Sequence, residues 1–142
     1  MAHSDVSAAL IAAYRATEYR CGRGRDAFVL RIGTRSPALM ALYASTGCTS
    51  GVFISACNPR SEPQSDKANR AAHARLGDEL ALMGRLVLEG AGVDPTGEWR
   101  PEPSYLVLGV EMAAAQEFGR RYQQNAVVWV GTDAVPELVL LR

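Results

Sequence analysis

A chain of 142 residues has the size of one domain and can bury about two thirds of the surface its unfolded form exposes. Its 15 basic and 15 acidic side chains cancel, so no long-range field draws it to nucleic acid or to an anionic membrane. Cys21, Cys48 and Cys57 show no CxxC spacing, which argues against a disulfide framework or a zinc ribbon and fits a reducing cytoplasm.

Residues 1–4 read as a flexible tail carrying His3, followed by a first helix with Val6, Leu10, Ala13 and Tyr14 on one face and Ser4 as its cap. Asp5 precedes its apolar segment and no basic region leads it, so the segment reads as a helix and not as a signal peptide. Tyr19 to Arg25 is turn-rich and basic. It has neither the spacing of a Walker loop nor a helix immediately after it, so it reads as a solvated connector before a strand at 27–32. Ser36-Pro37 starts a second helix over 37–46 and Gly47 stops it.

The apolar run Val52-Phe53-Ile54-Ser55-Ala56 reads as a buried strand that breaks at Cys57-Asn58-Pro59. Pro59 has no N–H and disfavours helical geometry at Asn58, so the strand stops there and backbone donors become free. Ser65 then caps a helix over 66–83, with Ala68, Ala72, Leu76, Leu80 and Met83 as its apolar stripe and Asn69 and His73 at the stripe's edge. A short strand at 85–89 is followed by residues 90–103, with three glycines, three prolines and Trp99. That segment reads as a long loop serving a site or a lid. Strand 105–110, helix 111–122 and strands 126–130 and 137–141 complete the chain.

The order of elements implies the α/β or α+β class: a single compact domain over 1–142, with a mixed sheet of five or six strands, helices packed on it and a C-terminal hairpin. No apolar run approaches membrane-spanning length.

Ser55-Ala56-Cys57-Asn58-Pro59-Arg60-Ser61, then Ser65 and Asn69, Trp99 to Ser104, and Gln124-Asn125-Ala126 ahead of an apolar strand resemble the bacterial family called domain of unknown function 3293, from about Tyr14 to Val139. That family shows Thr-Ala-Trp-Asn-Pro where this chain has Ser-Ala-Cys-Asn-Pro, and Phe-Gly-Gln-Asn-Ala where it has Tyr-Gln-Gln-Asn-Ala. Cys57 thus replaces a large aromatic wall. The resemblance implies a soluble bacterial protein and carries no reaction with it.

Asn58, Arg60, Ser61, Asn69, Trp99, Glu102, Gln124 and Asn125 form the candidate ligand-binding set: amides with paired donors and acceptors, a guanidinium fork and a carboxylate to balance it. Asn58, Asn69 and Glu102 are expected to converge at the Asn58-Pro59 turn. Cys57 with His73 has the residue types of a nucleophile and base, but a cysteine in a slot that a tryptophan fills elsewhere reads as packing. No metal and no cofactor is expected, because the chain has two histidines and no carboxylate cluster with ligand spacing. The functional reading is a small-molecule-binding protein or enzyme taking a small polar ligand. An interaction or regulatory module, with a homodimer among its forms, is the alternative.

Overall fold

The computed structural model describes residues 5–142; the expected tail, His3 and the Ser4 cap lie outside them. Four helices, α1 (Ala8–Ala16), α2 (Pro37–Thr46), α3 (Asp66–Leu82) and α4 (Met112–Arg121), accompany seven strands. The strands are β1 (Glu18–Cys21), β2 (Phe28–Leu30), β3 (Gly51–Ile54), β4 (Val87–Val93), β5 (Glu102–Leu108), β6 (Ala126–Val130) and β7 (Pro136–Leu140).

Local chemistry accounts for the helix ends. Ser7, Ser36 and Ser65 each accept a hydrogen bond from the backbone N–H three residues on, satisfying one free donor per helix. Ser7 thus caps the described α1, where Ser4 was expected. Gly47 ends α2 in the left-handed conformation, as its place after the last helical turn requires.

The strands form one sheet in the order β2-β1-β4-β5-β3-β6-β7, and every neighbouring pair is antiparallel. This corrects the expected mixed sheet of five or six strands. The helical crossovers β3-α3-β4 and β5-α4-β6 do bring strands back in the same direction, but β5 inserts between β3 and β4, and β3 between β5 and β6. Parallel strands are therefore never adjacent. The connectivity β3-α3-β4-β5-α4-β6 is the split β-α-β, or ferredoxin-like, arrangement, extended by β1 and β2 on one side and by β7 on the other.

The additional strand is β1, inside the segment that reads as a basic connector. Only Tyr19 and Cys21 point inward from it, too few for an alternation to register. Its outward Arg20 pairs with Glu18 at 3.0 Å. The expected loop over 90–103 is mostly strand, because β4 runs to Val93 and β5 begins at Glu102. What remains, residues 94–101, is ordered by Asp94. One carboxylate oxygen accepts the Thr96 N–H and hydroxyl at 2.9 and 2.7 Å, and the other accepts the N–H groups of Glu98 and Trp99 at 2.9 and 3.3 Å.

The register divides the sheet into two faces. Tyr19, Leu106, Phe53 and Val128 share one face and pack with Leu39 and Tyr43 of α2. Val107, Val52 and Val127 share the other and pack with Leu76 and Leu80 of α3 and Ala115 of α4. The first face is not filled evenly. Towards the end where α1 stands, it carries the small residues Gly92 of β4, Ser104 of β5 and Ala126 of β6, with Ser55 just past the end of β3.

The two glycines of β4, Gly90 and Gly92, differ in what they allow. A Cβ on Gly90 would lie 2.3 Å from the Arg20 carbonyl oxygen and 3.0 Å from the Phe53 ring, whereas one on Gly92 would meet only the Thr17 methyl at 3.7 Å. Gly90→Ala is therefore expected to cost about 1–3 kcal/mol through a forced shift of paired backbone. Gly92→Ala should stay within about 0.5 kcal/mol of the parent. Urea unfolding of the two variants measures both; equal losses would show that Gly90 is not selected by the approach of β1.

Candidate functional site

Beyond Ile54 the chain leaves the sheet and enters an unusual turn. Asn58 has φ 45° and ψ 64°, Arg60 φ 57° and Ser61 φ 60°. Side chains other than glycine adopt such angles at a cost, and Asn bears it best. The turn is held by its own amides. The Asn58 N–H donates to Asn69 Oδ1 at 3.0 Å, and Asn69 Nδ2 donates back to Asn58 Oδ1 at 2.9 Å. Asn58 Oδ1 also accepts the Gln64 N–H at 3.0 Å, and Asn58 Nδ2 donates to Glu102 Oε2 at 3.3 Å. The three residues expected to meet do meet, in one hydrogen-bonded chain running from α3 through the turn to β5.

A second junction joins the turn to the chain ahead of β6. The Arg60 N–H donates to the Gln123 carbonyl at 2.7 Å. Gln124 Nε2 donates to the carbonyls of Cys57 and Tyr122 at 3.1 and 3.2 Å. The buried Asn125 donates through Nδ2 to the hydroxyls of Tyr14 and Ser61, both at 3.1 Å, while its Oδ1 accepts from Arg142 at 3.0 Å. The Tyr14 and Ser61 hydroxyl oxygens are 2.6 Å apart.

These two junctions border a cavity of about 710 Å³ between the first face of the sheet and α1, opening beside the start of α3 and the 94–101 loop. The small residues of the first face leave the room. Leu10, Ala13 and Tyr14 of α1 stand across it, and Phe53, Val128 and Leu138 supply apolar wall. At the opening Arg100 pairs with Asp66 of α3 at 3.3 Å, and Trp99 is 39% exposed.

Asn58, Ser61, Asn69, Trp99, Glu102, Gln124 and Asn125 of the candidate set line this cavity. Arg60 does not. Its left-handed backbone sends the side chain to solvent, and it serves through its N–H alone. The roof residues Tyr14 and Thr17 and the floor residues Ser55 and Ser104 were not anticipated. For Ser55 and Ser104 the signal is a small polar residue on or just past a strand, facing inward where Leu, Val or Phe would complete a core.

Glu102 is half-buried, and burial raises its pKa against the opposing hydrogen bonds of Ser55 and Asn58. No ion pair to it is found among the described residues. His73 stacks on Tyr105 with ring centroids 4.3 Å apart and planes 2° apart. Its Nδ1 has no hydrogen-bond partner among the described residues, and burial lowers its pKa. Among the described residues no group of His, Cys, Asp and Glu is arranged to hold a metal ion, and no helix is long and apolar enough to cross a membrane.

Cys57 is 1% exposed, and its Sγ lies 3.9 Å from the Asn69 carbonyl and 3.7 Å from the Pro103 carbonyl. Burial, with Glu102 adding to it, raises the thiol's pKa, the opposite of what an activated nucleophile needs. Iodoacetamide should therefore label Cys57 slowly at neutral pH, with or without His73, and Cys57→Ala should cost about 1 kcal/mol. Rapid labelling of the folded protein that His73→Ala suppresses would establish a thiolate instead.

The direction of the Glu102 shift sets a pH dependence. The folded carboxyl holds its proton to higher pH than the unfolded one, so ionisation penalises the fold. The penalty is absent below the unfolded carboxyl's pKa, about 4.3, and complete above the folded value. Glu102→Gln keeps an acceptor for Asn58 Nδ2. It should melt a few degrees above the parent at pH 8 and together with it near pH 4. A variant that melts lower at pH 8 would show that the carboxylate stabilises the fold.

A family model described as "Protein of unknown function (DUF3293)" matches residues 54–127, a narrower span than the motifs suggest. It runs from the end of β3 to the start of β6 and contains both the Asn58 turn and Glu102. No curated protein and no solved structure matches the chain.

Proposed function

We propose, for a chain that belongs to the family of proteins of unknown function DUF3293, that it is a small-molecule-binding protein whose ligand lies between α1 and the first face of the sheet. The observation that carries this reading is the cavity of about 710 Å³, within the range that encloses metabolite-sized and drug-sized ligands. Its walls are mostly apolar, with a few polar groups set at its edges. A well-packed interior does not leave such a volume, and here small residues on three strands, with Ser55 just past a fourth, maintain it.

Catalysis in the same cavity would fall to Glu102, the half-buried carboxyl whose proton affinity is raised and which has no ion pair among the described residues; groups of that kind serve as general acids and bases. The interaction-module reading draws on Trp99. The Asp94 loop and the Arg100–Asp66 pair hold that residue against the cavity opening, where it also serves as part of the ligand's wall.

Gly92→Leu tests the pocket directly. The position has room for a side chain beside Thr17, and a leucine there would occupy the cavity floor. Thermal-shift screening of a metabolite panel should find compounds that raise the melting temperature of the parent and not of Gly92→Leu, whose own melting temperature should stay within a few degrees of the parent's. Compounds that stabilise both proteins equally would place binding elsewhere and remove this reading.

A further inference from the structure

The cavity's two polar junctions make opposite demands on whatever fills it. At the first, the Glu102 carboxylate offers several lone pairs and receives Asn58 Nδ2 at 3.3 Å. Asn58 and Asn69 have already committed their amide oxygens to one another and to the Gln64 N–H. The cations that line the cavity, Arg70 and Arg100, are exposed at its opening, and Arg100 is engaged with Asp66. Glu102 thus has neutral donors, Asn58 and Ser55, and no paired cation among the described residues.

At the second junction the hydrogen inventory runs the other way. Asn125 directs its amide hydrogens at the Tyr14 and Ser61 oxygens, and its own oxygen accepts from Arg142. The two hydroxyls share one hydrogen across 2.6 Å. Two hydroxyls carry two hydrogens, so one O–H is left without an acceptor in the cluster. This junction lacks an acceptor.

Glu102 belongs to β5 and Asn125 stands at the head of β6, with β3 between them. Two inter-strand spacings put the junctions about 10 Å apart. Phe53 of β3 and Leu10 and Ala13 of α1 supply apolar wall to the same cavity.

We infer that the ligand carries a cationic nitrogen at one end and a carbonyl or carboxylate oxygen at the other, separated by an apolar chain or ring: the nitrogen pairs with Glu102, and the oxygen accepts from the Tyr14–Ser61 hydroxyl pair. The inference rests on the pocket reading above and adds the ligand's class to it.

Titration of the full chain, followed by amide NMR shifts, tests it with four probes: mono-N-acetyl-1,6-diaminohexane, its neutral analogue 6-acetamidohexanol, 6-aminohexanoate and hexylamine. The acetylated amine should bind about tenfold more tightly than the alcohol, since the charge-assisted pair is lost in the alcohol. Glu102→Gln should abolish that preference. Tyr14→Phe should weaken the acetylated amine and 6-aminohexanoate while leaving hexylamine unchanged, a split that general loosening of the fold would not produce. Equal affinity of amine and alcohol for the parent needs no variant to interpret and would overturn the class. If Gly92→Leu still blocked both probes, the pocket would survive that failure. Absence of binding by all four probes would also reject the class, and the metabolite panel would then decide the pocket separately.

Discussion

The reciprocal amide pair of Asn58 and Asn69 is the contact on which this site depends. A central strand that ends in three left-handed residues of the non-glycine kind, Asn58, Arg60 and Ser61, carries strain of about 1 kcal/mol or more at each. The return is geometric. The turn brings the Asn58 amide onto Glu102 of β5, sets the Ser61 hydroxyl beside Tyr14 of α1, and joins the Gln123 carbonyl through the Arg60 N–H. One local distortion thus couples α1, α3, β5 and the chain entering β6. Each hydrogen bond contributes about 1 kcal/mol net, so the network is of the right size to hold the strain.

The second constraint is the unequal filling of the sheet's faces. On the face under α3 and α4, Val107, Val52 and Val127 meet Leu76, Leu80 and Ala115 in a continuous core. There even a glycine serves packing: a Cβ on Gly77 would lie 2.5 Å from the Tyr105 hydroxyl, so its absence lets that ring seat against α3. On the other face, α2 completes a core over one end, while Gly92, Ser104, Ser55 and Ala126 keep the α1 end open. A ferredoxin-like sheet leaves one face uncovered by its own two helices, and here α1 and α2, which precede that motif in the chain, cover it. A fold of this kind implies no function; the function proposed here comes from the space that incomplete coverage leaves.

How far the sequence could be read follows from which signals are local. The caps at Ser36 and Ser65, the stop at Gly47 and the strand break before Pro59 depend on neighbours within a few residues, and the helices and the turn were legible from them. The meeting of Asn58, Asn69 and Glu102 followed from placing polar residues at one strand end. β1 escaped notice because four residues with Arg20 among them look like the turn that follows. β4 and β5 were shortened because Gly90, Gly92, Pro101 and Pro103 carry the chemistry of loops. Gly90 is a glycine for a reason that lies in another strand, the Arg20 carbonyl at 2.3 Å from where its Cβ would be. Strand order was illegible for the same reason: β5 lies between β3 and β4 through pairings made far along the chain. The helical stripe of α1 has one appearance whether it seals a core or roofs a cavity.

The amides that first draw attention in the sequence and the groups that remain free in the structure are not the same. Asn58, Asn69, Gln124 and Asn125 each make two or three side-chain hydrogen bonds to other protein groups, and an amide so engaged gains little by turning to a ligand. Their arrangement leaves a carboxylate with no paired cation among the described residues and a hydroxyl pair with one hydrogen to spare, lining one cavity. Loss of an Asn in this set should therefore act first on stability, with any change in binding following from a displaced neighbour. Loss of the Glu102 charge or of the Tyr14 hydroxyl should act on binding while the fold persists. On the proposed reading, the division separates residues that hold the site in shape from those that would meet a ligand, with Glu102, which the Asn58–Asn69 pair positions without neutralising, among the latter.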